Sequence, residues 1–160
     1  MKLKANLIRI NVAVAVVLAG TLPAQAQESL FGTWKMNAAK SKYSPAPKPA
    51  SNIAKWDAFN GGVKLTVDVI PAKGETQHYE SSGKFDGKDN PVKGNNPDGD
   101  TVAFSKIDAR TYEVVTKKGG KNTVTARIVV AADGKTRVTT QTGRDGQGRT
   151  INNSMFYEKQ

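Results

Sequence analysis

Few side chains in this chain could do covalent chemistry. His78 is the only histidine among 160 residues, and there is no cysteine. In Gln77-His78-Tyr79-Glu80, a strand would put His78 and Glu80 on one face, two ligands of a metal site. No third ligand stands nearby, and a histidine at the surface is much the commoner arrangement. A Ser-His-Asp arrangement would depend wholly on His78, and no Gly-x-Ser-x-Gly motif accompanies it. Asp86, Asp89, Asp98 and Asp100 lack the spacing of acids, glycine and distal glutamate of a calcium loop. They fall among Asn-Pro and Asp-Gly pairs, where turn chemistry accounts for them. Without cysteine there is no thiolate catalysis, zinc–thiolate site or iron–sulfur cluster. No catalytic residue, metal site or cofactor is expected.

The elements that would carry any site are strands. Val63, Leu65, Val67 and Val69 alternate with Lys64, Thr66 and Asp68, the period-two signature of a half-buried strand. Asn60-Gly61-Gly62 and Asp133-Gly134 are hairpin turns. Turn residues recur at intervals of about 8–12 residues with no convincing helical stretch, as in sandwiches and barrels. About nine strands are expected, with 89–100 as an irregular, turn-rich loop. Ser44-Pro45-Ala46-Pro47-Lys48-Pro49 sits in a proline-rich segment, 43–50, that reads as a rigid crossing segment or flap.

The first residues read as a leader. Lys2, Lys4 and Arg9 precede an apolar run from Ile10 to Leu22, Pro23 breaks it, and Ala24-Gln25-Ala26 gives a small-x-small cleavage pattern. Residues 1–26 are expected to be a signal peptide and 27–160 a single domain without a transmembrane segment, periplasmic or secreted. The leader takes three of the 24 basic residues and none of the 14 acidic ones, so the remainder carries 21 against 14, a net charge of +7. The bases are scattered, as on a solvated surface. They would also suit an anionic envelope component. Nucleic acid is not expected as a partner, since no recognisable binding motif is present.

Phe31-Gly32-Thr33-Trp34-Lys35 resembles the opening strand of fatty-acid-binding proteins and, more loosely, the Gly-x-Trp start of lipocalins. Phe156-Tyr157-Glu158-Lys159 resembles the terminal strand of the fatty-acid-binding group. Gly120-Lys121-Asn122-Thr123-Val124-Thr125-Ala126-Arg127 resembles its Gly-Lys-x-Thr-x-x-x-Arg strand. The resemblance covers the two ends of the domain. It implies an all-β, antiparallel up-and-down barrel of about eight to ten strands, lipocalin-like and of the calycin superfamily, with first and last strands paired.

It also implies a cavity for a small hydrophobic or amphipathic ligand, without catalysis. In the fatty-acid-binding group an Arg and an Arg-x-Tyr pair hold a carboxylate; Arg127 and Tyr157 match two of these positions, and Met155 stands at the third. Trp34, Trp56, Phe104 and Met155 are candidate wall or floor residues. The faces of the Arg127 strand leave one matter open. Val124, Ala126, Ile128 and Val130 form the apolar face, so burial alone sends Arg127 outward; a polar or wet cavity would take it inward. The other class of function is a filled-core envelope or interaction module that uses its basic surface to contact an anionic polymer or a partner protein.

Overall fold

The computed structural model describes residues 28–45 and 47–160. The leader expected over 1–26 lies outside the described residues. The rest is all-β, with eleven strands in one antiparallel sheet. They are β1 (Gly32–Met36), β2 (Ser51–Phe59), β3 (Gly62–Ile70), β4 (Gln77–Gly83), β5 (Asp86–Pro91), β6 (Lys93–Gly94), β7 (Thr101–Lys106), β8 (Thr111–Lys118), β9 (Lys121–Val130), β10 (Thr136–Arg144) and β11 (Thr150–Lys159). Their spatial order is β5-β7-β8-β9-β10-β11-β1-β2-β3-β4-β6, a nearly closed barrel.

The first and last strands pair as expected, Trp34 opposite Lys159 and Met36 opposite Tyr157. This covers both terminal edges, which would otherwise expose unpaired backbone groups. The remaining gap lies between β4 and β7. Residues 86–94, which the turn-rich sequence over 89–100 hides, cross it: β5 pairs with β7, and β6, one residue further on, pairs with β4. Ser81 Oγ donates to the Pro91 carbonyl at 2.9 Å and ties the crossing to β4. Polar side chains conceal these two short edge strands from a hydrophobic pattern.

Inward residues follow the period of two. Val63, Leu65 and Val67 are buried on β3, Val124, Ile128 and Val130 on β9, and Ile151, Asn153, Met155 and Tyr157 on β11. Asn60 and Gly61 both have positive φ, 47° and 69°, the geometry of a two-residue hairpin that matches strand twist. Gly32 has a different use. Its φ is +126°, and a Cβ there would lie 2.5 Å from Lys159 Cε. The close neighbour is a side chain, not the backbone expected of a strand glycine.

One end of the barrel is sealed. Residues 28–31 run across it, with Leu30 and Trp34 fully buried. Trp34 Nε1 donates to the Leu30 carbonyl at 2.7 Å, so the indole is buried with its N–H satisfied. Glu28 accepts from Tyr112 Oη at 2.8 Å and from Lys106 Nζ at 2.9 Å, and Ser29 Oγ donates to the Ala109 carbonyl. Burial works against the Glu28 carboxylate, but the bonds from Lys106 and Tyr112 outweigh it and hold its pKa below the ordinary value. The opposite end carries the proline-rich segment, which docks on β11: Lys42 and Ser154 exchange backbone hydrogen bonds, and the Asn152 N–H reaches the Ser44 carbonyl.

Candidate functional site

The Asp133-Gly134 hairpin places Arg137 opposite Val130 on β9, and β11 places it opposite Tyr157. Both partners are buried, and cross-strand partners share a face, so Arg137 enters the barrel. It is 3 % exposed. Its guanidinium carbon lies 4.3 Å from the Tyr157 ring centroid, 5.2 Å from Trp34 and 6.0 Å from Trp56. Aromatic faces attract a cation, but they offer no hydrogen-bond acceptor in the plane of the guanidinium. Nε and Nη1 of Arg137 have no hydrogen-bond partner, and no carboxylate among the described residues pairs with it.

Burial brings the Arg137 pKa down to about 10, with Tyr157 acting in the other direction. The group stays charged at neutral pH, and a lowering of this size corresponds to about 3 kcal/mol held against the charged form. Most buried charges are paired. This one meets a cavity.

The cavity has a volume of about 80 Å³. Arg137, Trp56, Thr139 and Tyr157 line it beside an apolar belt that includes Leu65, Val67, Val114 and Met155. The buried Trp56 Nε1 and Thr139 Oγ1 also have no partner. Toward the open end the cavity meets a vestibule of about 420 Å³, and Asn52, Tyr79, Asp98 and Gln141 line both spaces. Pro45, Pro47 and Pro49 form part of the vestibule wall, so the proline-rich segment serves as a rim.

Asp98 Oδ1 accepts the Gly146 N–H at 2.9 Å. Burial pushes the Asp98 carboxyl up, aided by Asp145, against the Gly146 N–H, Lys118 and Arg149. Burial likewise raises the Tyr79 and Tyr157 phenols.

Of the residues expected to bind ligand, Trp56, Met155 and Tyr157 line the cavity. Trp34 and Phe104 lie in the core: Trp34 stacks under Arg137, and Phe104 packs edge-on against Trp56 with ring centroids 6.0 Å apart. Arg127 is corrected. It is exposed on the outer face of β9, opposite Glu113 and Thr140, because Val124, Ile128 and Val130 take the inner face. His78 is a surface residue whose Nδ1 lies 2.7 Å from Asp68 Oδ1.

The residue that sequence reasoning missed is Arg137. Its strand offers Val138, Thr140 and Thr142 as the other face, and a hydrophobic count points Val138 inward. Val138 is instead 39 % exposed. The signal that finds Arg137 is the hairpin: a turn at Asp133-Gly134 with Val130 inward fixes its partner inward too.

No family model matches this chain, and no curated protein or solved structure is significantly similar to it.

Proposed function

We propose that this protein is an exported binding protein for a small amphipathic ligand, with no catalytic step, acting in the periplasm or outside the cell. The observation that carries the reading is the unpaired Arg137 guanidinium at the inner end of an aromatic and aliphatic cavity. A carboxylate there would meet one edge of the guanidinium in bidentate geometry, bonding Nη2 together with either Nε or Nη1. The apolar belt would contribute by burial of the ligand's hydrocarbon. The vestibule is the route of entry. A calycin-like barrel is the architecture this reading uses.

Both tryptophans stack near Arg137, so tryptophan fluorescence reports on the site. Titration with carboxylates from acetate to decanoate is expected to change emission saturably for the wild type and for Arg127→Ala, but not for Arg137→Met. Equal responses in all three proteins, or none in any, would remove the reading.

The small cavity favours a second reading, a filled-core envelope module whose basic outer surface meets an anionic polymer. Salt-sensitive retention on an anionic matrix, together with no fluorescence response to any carboxylate, is its signature.

A further inference from the structure

The unpaired groups of the cavity are sorted by type along its depth. The inner end holds donors: Arg137 Nε and Nη1 and Trp56 Nε1. The outer end adds acceptors, beside the Tyr79 hydroxyl and the Gln141 amide, which can also donate. Asn52 Oδ1 is buried with no partner, and the Asp98 carboxyl lines both cavity and vestibule, one oxygen engaged by Gly146. On β10 the two levels are marked by Arg137 and Gln141, four residues apart, about 13 Å along the strand. Between them lie the apolar belt and Thr139 Oγ1, a hydroxyl that can donate or accept.

We infer that the occupant is a short dipolar molecule: a carboxylate at one end, a hydrogen-bond donor at the other, and a few methylenes between. The inference rests on the binding reading above and sets its ligand class. A plain fatty acid would satisfy Arg137 but press a methyl end against Asn52 and Asp98, leaving the buried Asn52 Oδ1 without a partner and the Asp98 carboxyl against hydrocarbon. Sites built to bond a polar group discriminate strongly against analogues that lack it. Size acts in the same direction. At about 30 Å³ per water-sized group, the cavity of about 80 Å³ holds roughly two or three such groups, a head group at Arg137 and little more. A long acyl chain does not fit within it, whereas a short ω-hydroxy or ω-amino acid with its carboxylate at Arg137 reaches the acceptors where the cavity meets the vestibule.

Calorimetric titration of the protein with pentanoate, hexanoate and octanoate, and with their ω-hydroxy and ω-amino counterparts, tests this. The best ω-substituted acid is expected to bind about tenfold or more tightly than its parent. Asp98→Asn should erase the preference for the ω-amino acids over their parent acids. The wild-type series decides the matter even where the variant folds poorly, and Asn52→Ala gives a second test at the same level. If the parent acids bind as tightly as the substituted ones, the dipolar class is wrong and the binding reading stands. If no carboxylate binds, both fall.

Discussion

The sealed end of the barrel and the cavity above it use similar residues to opposite effect. Trp34 and Trp56 are both buried, yet Trp34 donates to the Leu30 carbonyl while Trp56 Nε1 has no partner. Lys106 pairs with Glu28, whereas Arg137 pairs with nothing but aromatic faces. A polar group costs free energy when buried unsatisfied. The sealed end therefore stabilises the fold, and the cavity holds part of that stability in reserve. The difference marks where a second molecule belongs: at the groups the protein leaves without partners.

The largest expected effect falls on the sealed end. Trp34→Ala removes a fully buried indole and should destabilise by about 3–5 kcal/mol, read by urea unfolding. A loss below about 1 kcal/mol would mean that this end tolerates a void and is not a plug.

Next is the cavity, where the sign should reverse. Arg137→Met keeps an unbranched chain and removes an unpaired charge. Replacing even paired buried ions with well-packed apolar residues is often neutral or stabilising by about 1–4 kcal/mol, and Arg137 has no ion pair to lose. Loss of the cation–π contacts offsets part of this, so a gain of about 1–2 kcal/mol is expected.

A smaller effect, with a pH signature, belongs to Glu28. Its folded pKa is lowered, so its contribution is present above the unfolded value near 4.5 and lost as pH falls through the folded one. With the side chain partly exposed, Glu28→Gln should cost about 1 kcal/mol at neutral pH. The gap between variant and wild type should close on acidification below pH 4.5. A gap independent of pH would place the effect in packing.

The smallest effect is that of Arg127→Ala, within about 0.5 kcal/mol and without change in ligand response, because the side chain is exposed on the outer face.

The two arginines also show how far the sequence could be read. The strand containing Arg127 has an apolar face, Val124 to Val130, so burial placed Arg127 outside, and the structure agrees with burial over resemblance. The alternations of β3 and β11 and the pairing of first and last strands were readable for the same reason: one face is apolar or a known closing partner. Arg137 was not readable from its own strand, because Thr136 to Thr142 has no apolar face. Its orientation is imposed by register with Val130 and Tyr157, a tertiary fact that a single strand's pattern does not carry. The crossing strands β5 and β6 were hidden likewise, since their pairing is between backbone groups and their side chains are mostly polar.

Urea unfolding of the wild type and Arg137→Met, each with and without excess hexanoate, tests the central claim most directly. The account predicts that the variant is the more stable protein in plain buffer and that hexanoate stabilises only the wild type. A variant less stable than the wild type in buffer, with hexanoate stabilising neither, would contradict the claim that Arg137 is held unpaired for a ligand.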